Sequence, residues 1–321
     1  MCRILYFCPD FPQPSGGTKT LYRHVHRLRQ LGFAAFIVHQ RTGFVLSWHP
    51  YPAPILWLED KPEFRTDDVW VIPEVMLDFI RQTKHFPGQR IVIALSWAPA
   101  YNRLRPGERW QDYGINQALT KSPIIKRYLA WSMAIHVTLI DESIDAGRYL
   151  YEPAQKKDKV VYTTRKDTSG EWLQGVLLRK NPLFAHYTWL PLRGMDEESY
   201  AQQMREATIY LATTMQEGMH VSVLEAMACG CLVVGYTGIG GNAYMIGQGK
   251  AQNCILVENG NLPALGETVE QVLLNLLNDP QCYDPIRQQA IATARPYQNA
   301  AAEAQSLQTF FESLAVTKEI A

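Results

Sequence analysis

Two carboxylates, Glu217 and Glu225, stand eight residues apart in the part of this chain that is most informative about chemistry. An apolar run at 207–213 precedes them and another at 231–236 follows, so the pattern predicts strand, loop, short helix and buried strand. In open α/β sheets, ligands bind beyond the carboxyl ends of the strands. The sequence therefore predicts that both carboxylates face a crevice at that edge of a sheet.

Each carboxylate also has a structural explanation. Ser222 followed by Glu225 has the spacing of a capping box, in which the serine caps a helix and the glutamate bonds back to the cap. Glu217 precedes Gly218 and could be a solvated turn residue. An ionised carboxylate accepts hydrogen bonds and donates none, which suits a vicinal diol. For each glutamate considered singly, the structural explanation is favoured. The sequence that surrounds the two glutamates favours a functional role instead.

The string from Glu217 to Val234 has two glutamates eight apart, the second beginning E-A-M-A-x-G-x-x-V-V. It resembles the signature of the retaining GT-B glycosyltransferases called family four or group 1. The resemblance implies an α/β fold of the GT-B type, with two Rossmann-like doubly wound domains facing across a cleft. It also implies that Glu217 contacts hydroxyls of the donor sugar and that Glu225 binds the ribose of the nucleotide.

The resemblance implies further donor contacts from the loop, from the helix start and from a later Gly-Gly loop near the sugar. A helix is expected at 243–246, and the glutamate that the family often has there is replaced by Ala243 and Tyr244. The chain also departs from the family pattern at Met219 and His220, where the family usually has an aromatic or apolar residue and then Pro. The donor-binding residues that the resemblance adds are Gly218, Met219, His220, Val221 and Gly241.

Two adjacent cations, Arg165 and Lys166, follow a predicted strand at 159–164. Such a pair could neutralise a diphosphate whose charge grows as the glycosidic bond breaks, although a solvated turn is the alternative. The family typically has an Arg and a Lys five positions further on, where this chain has Gly170. Lys166 is therefore taken as the substitute for the second cation.

Gly16 and Gly17 lie where a first strand at 3–7 hands over to a helix predicted at 18–31. Glycine lets a backbone approach a ligand closely, and a helix amino terminus favours phosphate. The resemblance places such a loop near the donor phosphates and the acceptor. The dinucleotide pattern G-x-G-x-x-G is absent after this strand, and the P-loop pattern is absent from the sequence.

The 321 residues suffice for about two domains, each with a core of its own. Residues 1–157 are predicted as the acceptor-side domain and residues 158–297 as the nucleotide-sugar domain, with a helix at about 298–318 packing back on the first. A polar segment at 152–158 marks the boundary. Further strands are predicted at 34–39, 55–58, 69–72, 91–95 and 135–140, and a further helix at 75–83.

The charge balance, 31 basic against 31 acidic residues, gives no global attraction to nucleic acid, which we exclude as a partner. The six cysteines form no CxxC pair and predict reduced, buried thiols. No secretory signal and no run of about 18 apolar residues occurs, so the sequence predicts a soluble cytoplasmic protein. Nothing in it indicates peripheral contact with a membrane.

The resemblance implies transfer of a sugar from a UDP-sugar or GDP-sugar, without cofactor or metal, to an unknown sugar, lipid or small-molecule acceptor. Retention is expected, with the departing phosphate helping to remove the acceptor proton, so that positioning and electrostatics carry catalysis. The strand end at 95–102 lacks a histidine that several relatives have near the sugar, and His136 is predicted to be a core residue. An inverting reaction would need a base, for which Asp10 is the nearest candidate.

Two rival functions stay open on the sequence. One is a nucleotide-sugar epimerase on the same scaffold, which would isomerise the sugar nucleotide instead of transferring its sugar. The other is a catalytically inactive nucleotide-binding module, which the missing cation at Gly170 favours. The sequence alone does not identify the base, the sugar or the acceptor, because these depend on loop shapes.

Overall fold

A computed structural model describes residues 2–86, 88–97, 100 and 102–319. It divides the chain into two compact units, Met1–Glu142 together with Ala301–Ala321, and Ser143–Ala300. The predicted α/β class is confirmed, because each unit has a parallel sheet covered by helices. Part of the strand end considered at 95–102 lies outside the described residues, namely Ala98, Pro99 and Tyr101.

Helices alternate with strands along most of the chain. None of the described helices combines the length and the apolar character needed to cross a bilayer. Short 3-10 helices lie at Leu58–Asp60, Trp110–Tyr113, Pro153–Gln155, Pro182–His186 and Arg295–Gln298. The α-helices are α1 (Gly16–Gln30), α2 (Leu77–Gln82), α3 (Pro123–Met133), α4 (Ser169–Lys180), α5 (Glu197–Glu206), α6 (Val221–Ala228), α7 (Leu262–Asn278), α8 (Asp284–Ala294) and α9 (Ala300–Glu319).

The first unit contains a seven-stranded parallel sheet in the order β3-β2-β1-β4-β5-β6-β7. The order reverses between β1 and β4, which is the switch point where doubly wound sheets bind ligands. The predictions for β1 and β2 are confirmed to the residue. The strands are β1 (Arg3–Phe7), β2 (Ala34–His39), β3 (Ile55–Trp57), β4 (Val69–Pro73), β5 (Gln89–Ala94), β6 (Gln117–Thr120) and β7 (His136–Leu139).

The second unit contains a five-stranded parallel sheet in the order β12-β11-β10-β8-β9. Its order reverses between β8 and β10, so its switch point lies at their carboxyl ends. Alternate residues of β10 enter two cores on opposite faces of the sheet, Tyr210 on one face and Leu211 on the other. The strands are β8 (Lys157–Thr163), β9 (Thr188–Leu192), β10 (Ala207–Ala212), β11 (Leu232–Gly235) and β12 (Ile255–Leu256).

The structure divides the units after Glu142, whereas the polar segment at 152–158 suggests a boundary near 157. The residues between these points belong to the second unit because Ile144 and Tyr149 are buried in its core. The final helix, α9, belongs to the first unit, where Leu307 and Phe311 pack with β1 and α1 residues. Burial of apolar side chains, and not local polarity, sets the division.

Several sequence predictions are wrong in detail. His136 is exposed at the start of β7 and is not a core residue. Residues 243–246 form a turn, not a helix, because the Asn253 side chain bonds both the N–H of Ile246 and the carbonyl of Tyr244. The six cysteines are free thiols, but Cys282 is exposed.

Helix α1 begins when the Ser15 hydroxyl accepts the N–H of Thr18 at 3.4 Å, a typical N-cap. Its apolar face, Leu21, Val25 and Leu28, is buried as its spacing predicts. The same helix also buries Arg23, of which only 2% is exposed. A cation at that depth requires counter-charges.

The counter-charges come from both ends of the segment that forms the second unit. Arg23 Nη2 lies 2.5 Å from Glu142, the last residue before that segment, and 2.7 Å from Glu303, just after it. Arg27 also pairs with Glu303, and Lys121 pairs with Glu142. We call Arg23, Arg27, Lys121, Glu142 and Glu303 the buried charge cluster. Burial opposes ionisation, but Arg23, His24 and Arg27 hold the pKa of Glu303 well below its usual value.

We expect Glu303→Gln to lower the free energy of unfolding by about 3 to 5 kcal/mol, because it leaves buried cations without their counter-charge. Urea denaturation measures the change, and Glu312→Gln is the control because Glu312 is exposed on the same helix. Equal stability of the two variants would contradict a structural role for the cluster.

Comparing the wild type with Glu303→Gln at different pH values tests whether the charge of Glu303 contributes to stability. Since its folded pKa is depressed, its contribution is present above the unfolded value and is lost as pH falls through the folded value. The wild type should therefore lose more stability than Glu303→Gln on acidification below about pH 4.5.

Candidate functional site

The switch point of the second sheet brings the predicted cations and the first glutamate to one edge. Arg165 and Lys166 follow β8, and Glu217 follows β10, its parallel neighbour. Loops that follow adjacent parallel strands leave the sheet at the same edge. Residues separated by 51 positions in the chain thus meet at the place where such sheets bind ligands.

Lys166 and Glu217 form a direct ion pair. Lys166 Nζ donates to Glu217 Oε2 at 2.7 Å and to the carbonyl of Gln216 at 3.0 Å. Arg165 is exposed, and among the described residues no hydrogen bond or ion pair holds its side chain. The site therefore presents one cation already matched by a carboxylate and one that is available to an anion.

Position 170 has no room for the missing cation. A Cβ atom on Gly170 would lie 2.3 Å from the ring of Tyr162, far inside van der Waals contact. Tyr162 is fixed in the core beneath α4, and its hydroxyl donates to Gln174 at 2.6 Å. The packing of Tyr162 against position 170 thus accounts for the departure from the family pattern. A side chain larger than that of glycine fits there only if Tyr162 moves.

Two loops lie against each other beside the ion pair. We call residues 213–220 the glutamate loop and residues 237–242 the glycine loop. The N–H of Gly241 donates to the carbonyl of Gly218 at 2.6 Å, and a Cβ atom on Gly240 would lie 1.5 Å from the carbonyl oxygen of Glu217. Only glycine allows this approach, so the glycine loop fixes the backbone that carries Glu217.

The predicted capping box is wrong. Helix α6 begins at Val221 with His220 as its N-cap and without a side-chain cap, so Ser222 already lies inside the helix. The Ser222 hydroxyl instead accepts a hydrogen bond from the Tyr210 hydroxyl at 2.9 Å. Glu225 is buried, 3% exposed, one turn into the helix. Capping therefore does not explain the carboxylate at Glu225.

The two glutamates lie near a common group, Tyr210. Burial raises the pKa of Tyr210, and the negative charges of Glu217 and Glu225 raise it further, against the hydrogen bond to Ser222. Burial and the charge of Glu225 likewise raise the pKa of Tyr149 and Tyr200. The phenols around Glu225 thus stay protonated at neutral pH, as hydroxyls and not as competing charges.

His220 connects the two loops to the helix. Its N–H donates to the carbonyl of Gly241 at 3.2 Å, and its carbonyl accepts the hydroxyl of Tyr244 at 2.6 Å. The imidazole is 2% exposed, and its Nδ1 has no hydrogen-bond partner among the described residues. Burial lowers its pKa and Lys166 adds to this, while Glu217 acts in the opposite direction.

The sequence gives little sign of the groups that hold these loops. Asn242 donates to the carbonyls of Thr237 and Gly238 at 3.0 and 2.9 Å, and Asn259 accepts the N–H of Gly238 at 3.1 Å. Tyr244 lies near the position where the family often has a glutamate. Its hydroxyl donates a hydrogen bond to the His220 carbonyl. Side-chain amides beside glycines were the available signal, because they satisfy backbone groups of irregular loops.

Gly16 and Gly17 lie in the first unit at the start of α1, beyond the carboxyl end of β1. A Cβ atom on Gly17 would lie in ordinary van der Waals contact with Leu95 at 3.4 Å, and one on Gly16 would meet nothing within 4 Å, so packing does not require glycine at either position. Nearby, at the end of β4, the sequence reasoning missed Glu74. It is buried and accepts the N–H of Ser96 at 2.8 Å.

The Asp10 carboxylate accepts hydrogen bonds from the loop after β2. It accepts the N–H groups of Gln40 at 3.1 Å and Arg41 at 3.0 Å, and it lies 3.0 Å from His39 Nδ1. Burial works against ionisation, but these contacts hold the pKa of Asp10 below its usual value. They favour a structural role for Asp10 over that of a base in an inverting reaction.

Within the described ranges, no group of three or more His, Cys, Asp or Glu side chains is placed to hold a metal ion. That a transfer reaction needs no metal stays a prediction.

Comparison with known proteins matches the sequence model described as "Glycosyl transferases group 1" to residues 165–275. The match spans both cations, both glutamates and the glycine loop. The chain is also similar to an alpha-1,6-glucosyltransferase from Actinobacillus pleuropneumoniae serotype 7 (strain AP76), with 27% identity over 250 residues, 73% of this chain and 72% of the relative.

Two solved structures share the fold along almost the whole chain. Sucrose-phosphate synthase from Thermosynechococcus elongatus has a TM-score of 0.75 at 11% identity, covering 99% of this chain and 100% of the other. HepE from Anabaena, in complex with UDP-glucose, has a TM-score of 0.67 at 12% identity, covering 98% and 100%. The predicted GT-B fold is thereby confirmed. The family match across the site, the likeness to a glucosyltransferase and the shared fold support a glycosyltransferase with the GT-B fold.

Proposed function

We propose that this glycosyltransferase moves glucose from UDP-glucose to an acceptor hydroxyl with retention of the anomeric configuration. The observation that carries the proposal is the Lys166–Glu217 pair at the switch point between β8 and β10. It joins a carboxylate suited to sugar hydroxyls with a cation suited to a diphosphate, which supports the proposal. The name of the curated relative, a glucosyltransferase, and UDP-glucose in HepE favour this donor over a GDP-sugar.

In this proposal the two glutamates divide the donor between them. Glu217 accepts hydrogen bonds from sugar hydroxyls, and the buried Glu225 accepts them from the ribose, since an ionised carboxylate suits a vicinal diol. The phenols near Glu225 stay protonated, so its charge has no anionic neighbour among them. Burial makes each of these bonds count for more than it would in water.

The diphosphate meets the cations and the amino end of α6. Arg165 is available to it, and the amino end of α6, which begins at Val221 after Met219 and His220, carries a partial positive charge. Gly218 and Gly241 hold this backbone in place. No protein base is required, because the acceptor proton passes to the departing phosphate oxygen as the new bond to the anomeric carbon forms and the old one breaks.

The acceptor is assigned to the first unit, where Gly16 and Gly17 begin α1 at the switch point of the first sheet. The curated relative's name specifies an α-1,6 linkage, so a sugar hydroxyl is the first acceptor to test, ahead of a lipid or another small molecule. The free thiols of the described chain support a cytoplasmic location.

The proposal is tested by binding and then by turnover. Thermal shift with UDP, GDP, UDP-glucose and GDP-glucose should show stabilisation by the uridine ligands. Incubation with UDP-glucose and glucose-containing acceptors should release UDP and yield an α-linked product, with or without EDTA. An isomerised sugar nucleotide would indicate an epimerase, binding without UDP release a nucleotide-binding module, and loss of activity in EDTA a metal requirement.

We expect Glu225→Gln to weaken UDP binding about tenfold to a hundredfold, because a hydrogen bond to a charged group contributes roughly 1.5 to 3 kcal/mol. Calorimetry measures the affinity and urea denaturation the stability. Glu197→Gln is the matched control, since Glu197 is a buried carboxylate of the same unit that accepts the Tyr149 hydroxyl at 2.6 Å. A variant of Glu225 that lost only stability would show that the carboxylate is structural.

Glu217→Ala should leave UDP binding almost unchanged and weaken UDP-glucose binding about tenfold, because only the sugar would lose a partner. The control is Glu270→Ala, which breaks another ion pair of the second unit, with Lys180 at 2.5 Å. Similar losses for both ligands would rule out the division between sugar and nucleotide.

The double substitution of Arg165 and Lys166 by Ala should lower kcat about a hundredfold, since removing a transition-state donor typically costs roughly 3 kcal/mol. The control is the same double substitution at Arg179 and Lys180, an exposed basic pair at the end of α4. Unchanged turnover in the first double variant would remove these cations from the mechanism.

A further inference from the structure

A buried imidazole without a partner lies at the edge of the proposed donor site. His220 Nδ1 has no hydrogen-bond partner in the described part of the chain, although only 2% of the residue is exposed. Leaving a buried polar atom unsatisfied costs about 1 to 3 kcal/mol. Folded proteins seldom retain such a group without a use for it.

The backbone around His220 is held from both sides. Its N–H is bonded to the glycine loop through Gly241, and its carbonyl accepts the Tyr244 hydroxyl. A shift of His220 that brought Nδ1 to a hydrogen-bond partner would break these two hydrogen bonds. The structure maintains an unpaired imidazole where α6 begins.

The charge at the site is incomplete for a diphosphate. Lys166 is matched by Glu217, position 170 is closed by the Tyr162 ring, and Arg165 is left as the cation available to an anion. A diphosphate diester carries two negative charges, and more charge develops on it as the sugar leaves. A positive charge on another group close to the helix start would offset the charge that Arg165 leaves unmatched.

We infer that His220 takes up a proton when the diphosphate of the nucleotide sugar enters, and that the imidazolium supplies the second positive charge of the donor site. The inference rests on the proposed function, since it requires a nucleotide sugar at this site. The proton comes from solvent, and no bond of the substrate changes in this step. During transfer, the charge of the imidazolium offsets the negative charge that develops on the departing phosphate.

The electrostatics of the empty site agree with this role. Burial and Lys166 lower the pKa of His220, so the ring is neutral before the ligand enters. The groups that face it are Glu217 from the glutamate loop, Lys166 from the loop after β8, and Tyr244, whose hydroxyl is bonded to the carbonyl of His220. Two added negative charges favour the protonated ring and raise its pKa in the complex.

Proton uptake links affinity to pH. Because the pKa of His220 is higher in the complex than in the free protein, affinity is greatest at low pH and falls as pH rises through the value in the complex. A rise of one unit makes the affinity about tenfold higher at acidic than at alkaline pH. UDP-glucose is the appropriate probe, since its diphosphate diester has no proton of its own to lose near neutrality.

The experiment is calorimetric titration of the full chain with UDP-glucose near neutral pH, in two buffers that differ in ionisation enthalpy. The wild type should take up protons on binding, and His220→Asn should take up none and bind about tenfold more weakly at acidic pH. His136→Asn is the control, because His136 is exposed in the first unit. Binding without proton uptake, or equal uptake in His220→Asn, would overturn the inference.

Nuclear magnetic resonance of the wild type gives a second measurement that needs no variant to fold. With ¹⁵N-labelled histidine, the two ring nitrogens of His220 should change from the neutral to the protonated pattern when UDP-glucose is added. A ring that stays neutral in the complex contradicts the inference and leaves the proposed transfer intact. No binding of any nucleotide sugar contradicts both, so the two failures are distinguishable.

Discussion

The parallel pairing of β8 with β10 is the constraint on which the proposed donor site depends. Their register, with Tyr210 beside Val161, ends both strands at one edge of the sheet. The loops that follow must then meet, although 51 residues separate Lys166 from Glu217. The strand order reverses between these two strands, and such a switch point is where doubly wound sheets bind ligands. The chemistry of the site follows from which side chains those loops carry.

The site is shaped by close backbone approaches as much as by charged groups. The glycine loop touches the glutamate loop so closely that Gly240 has no space for a side chain, and Gly170 is closed in the same way by Tyr162. One approach positions Glu217, and the other excludes a cation. The site therefore has a fixed backbone and few charges, and burial lowers the pKa of His220 at the start of α6.

The first unit depends on a different interaction, the buried charge cluster. It joins α1 to the two points where the chain leaves and re-enters that unit, Glu142 and the start of α9. Such a cluster costs desolvation and is not by itself a source of stability. What it specifies is the attachment of α9, because Glu303 pairs with both Arg23 and Arg27 of α1.

By itself the sequence determined the elements whose signals are local. Alternating and continuous apolar runs placed β1, β2 and the strands around the signature, and the string from Glu217 to Val234 indicated the fold and the transfer chemistry. Local spacing did not distinguish a serine that caps a helix from a serine inside the helix. Ser222 and Glu225 have the spacing of a capping box, but the Ser222 hydroxyl accepts a hydrogen bond from Tyr210 and the helix starts two residues earlier.

Only the tertiary structure decided the partners of the charged groups. Lys166 finds Glu217 across 51 residues, and Arg23 finds Glu303 across 280. It also decided that His220 is buried without a partner at Nδ1 and that position 170 is closed. Periodicity reports which face of an element is apolar, whereas charge pairing depends on distances between elements, and those distances are set when the sheets and helices pack.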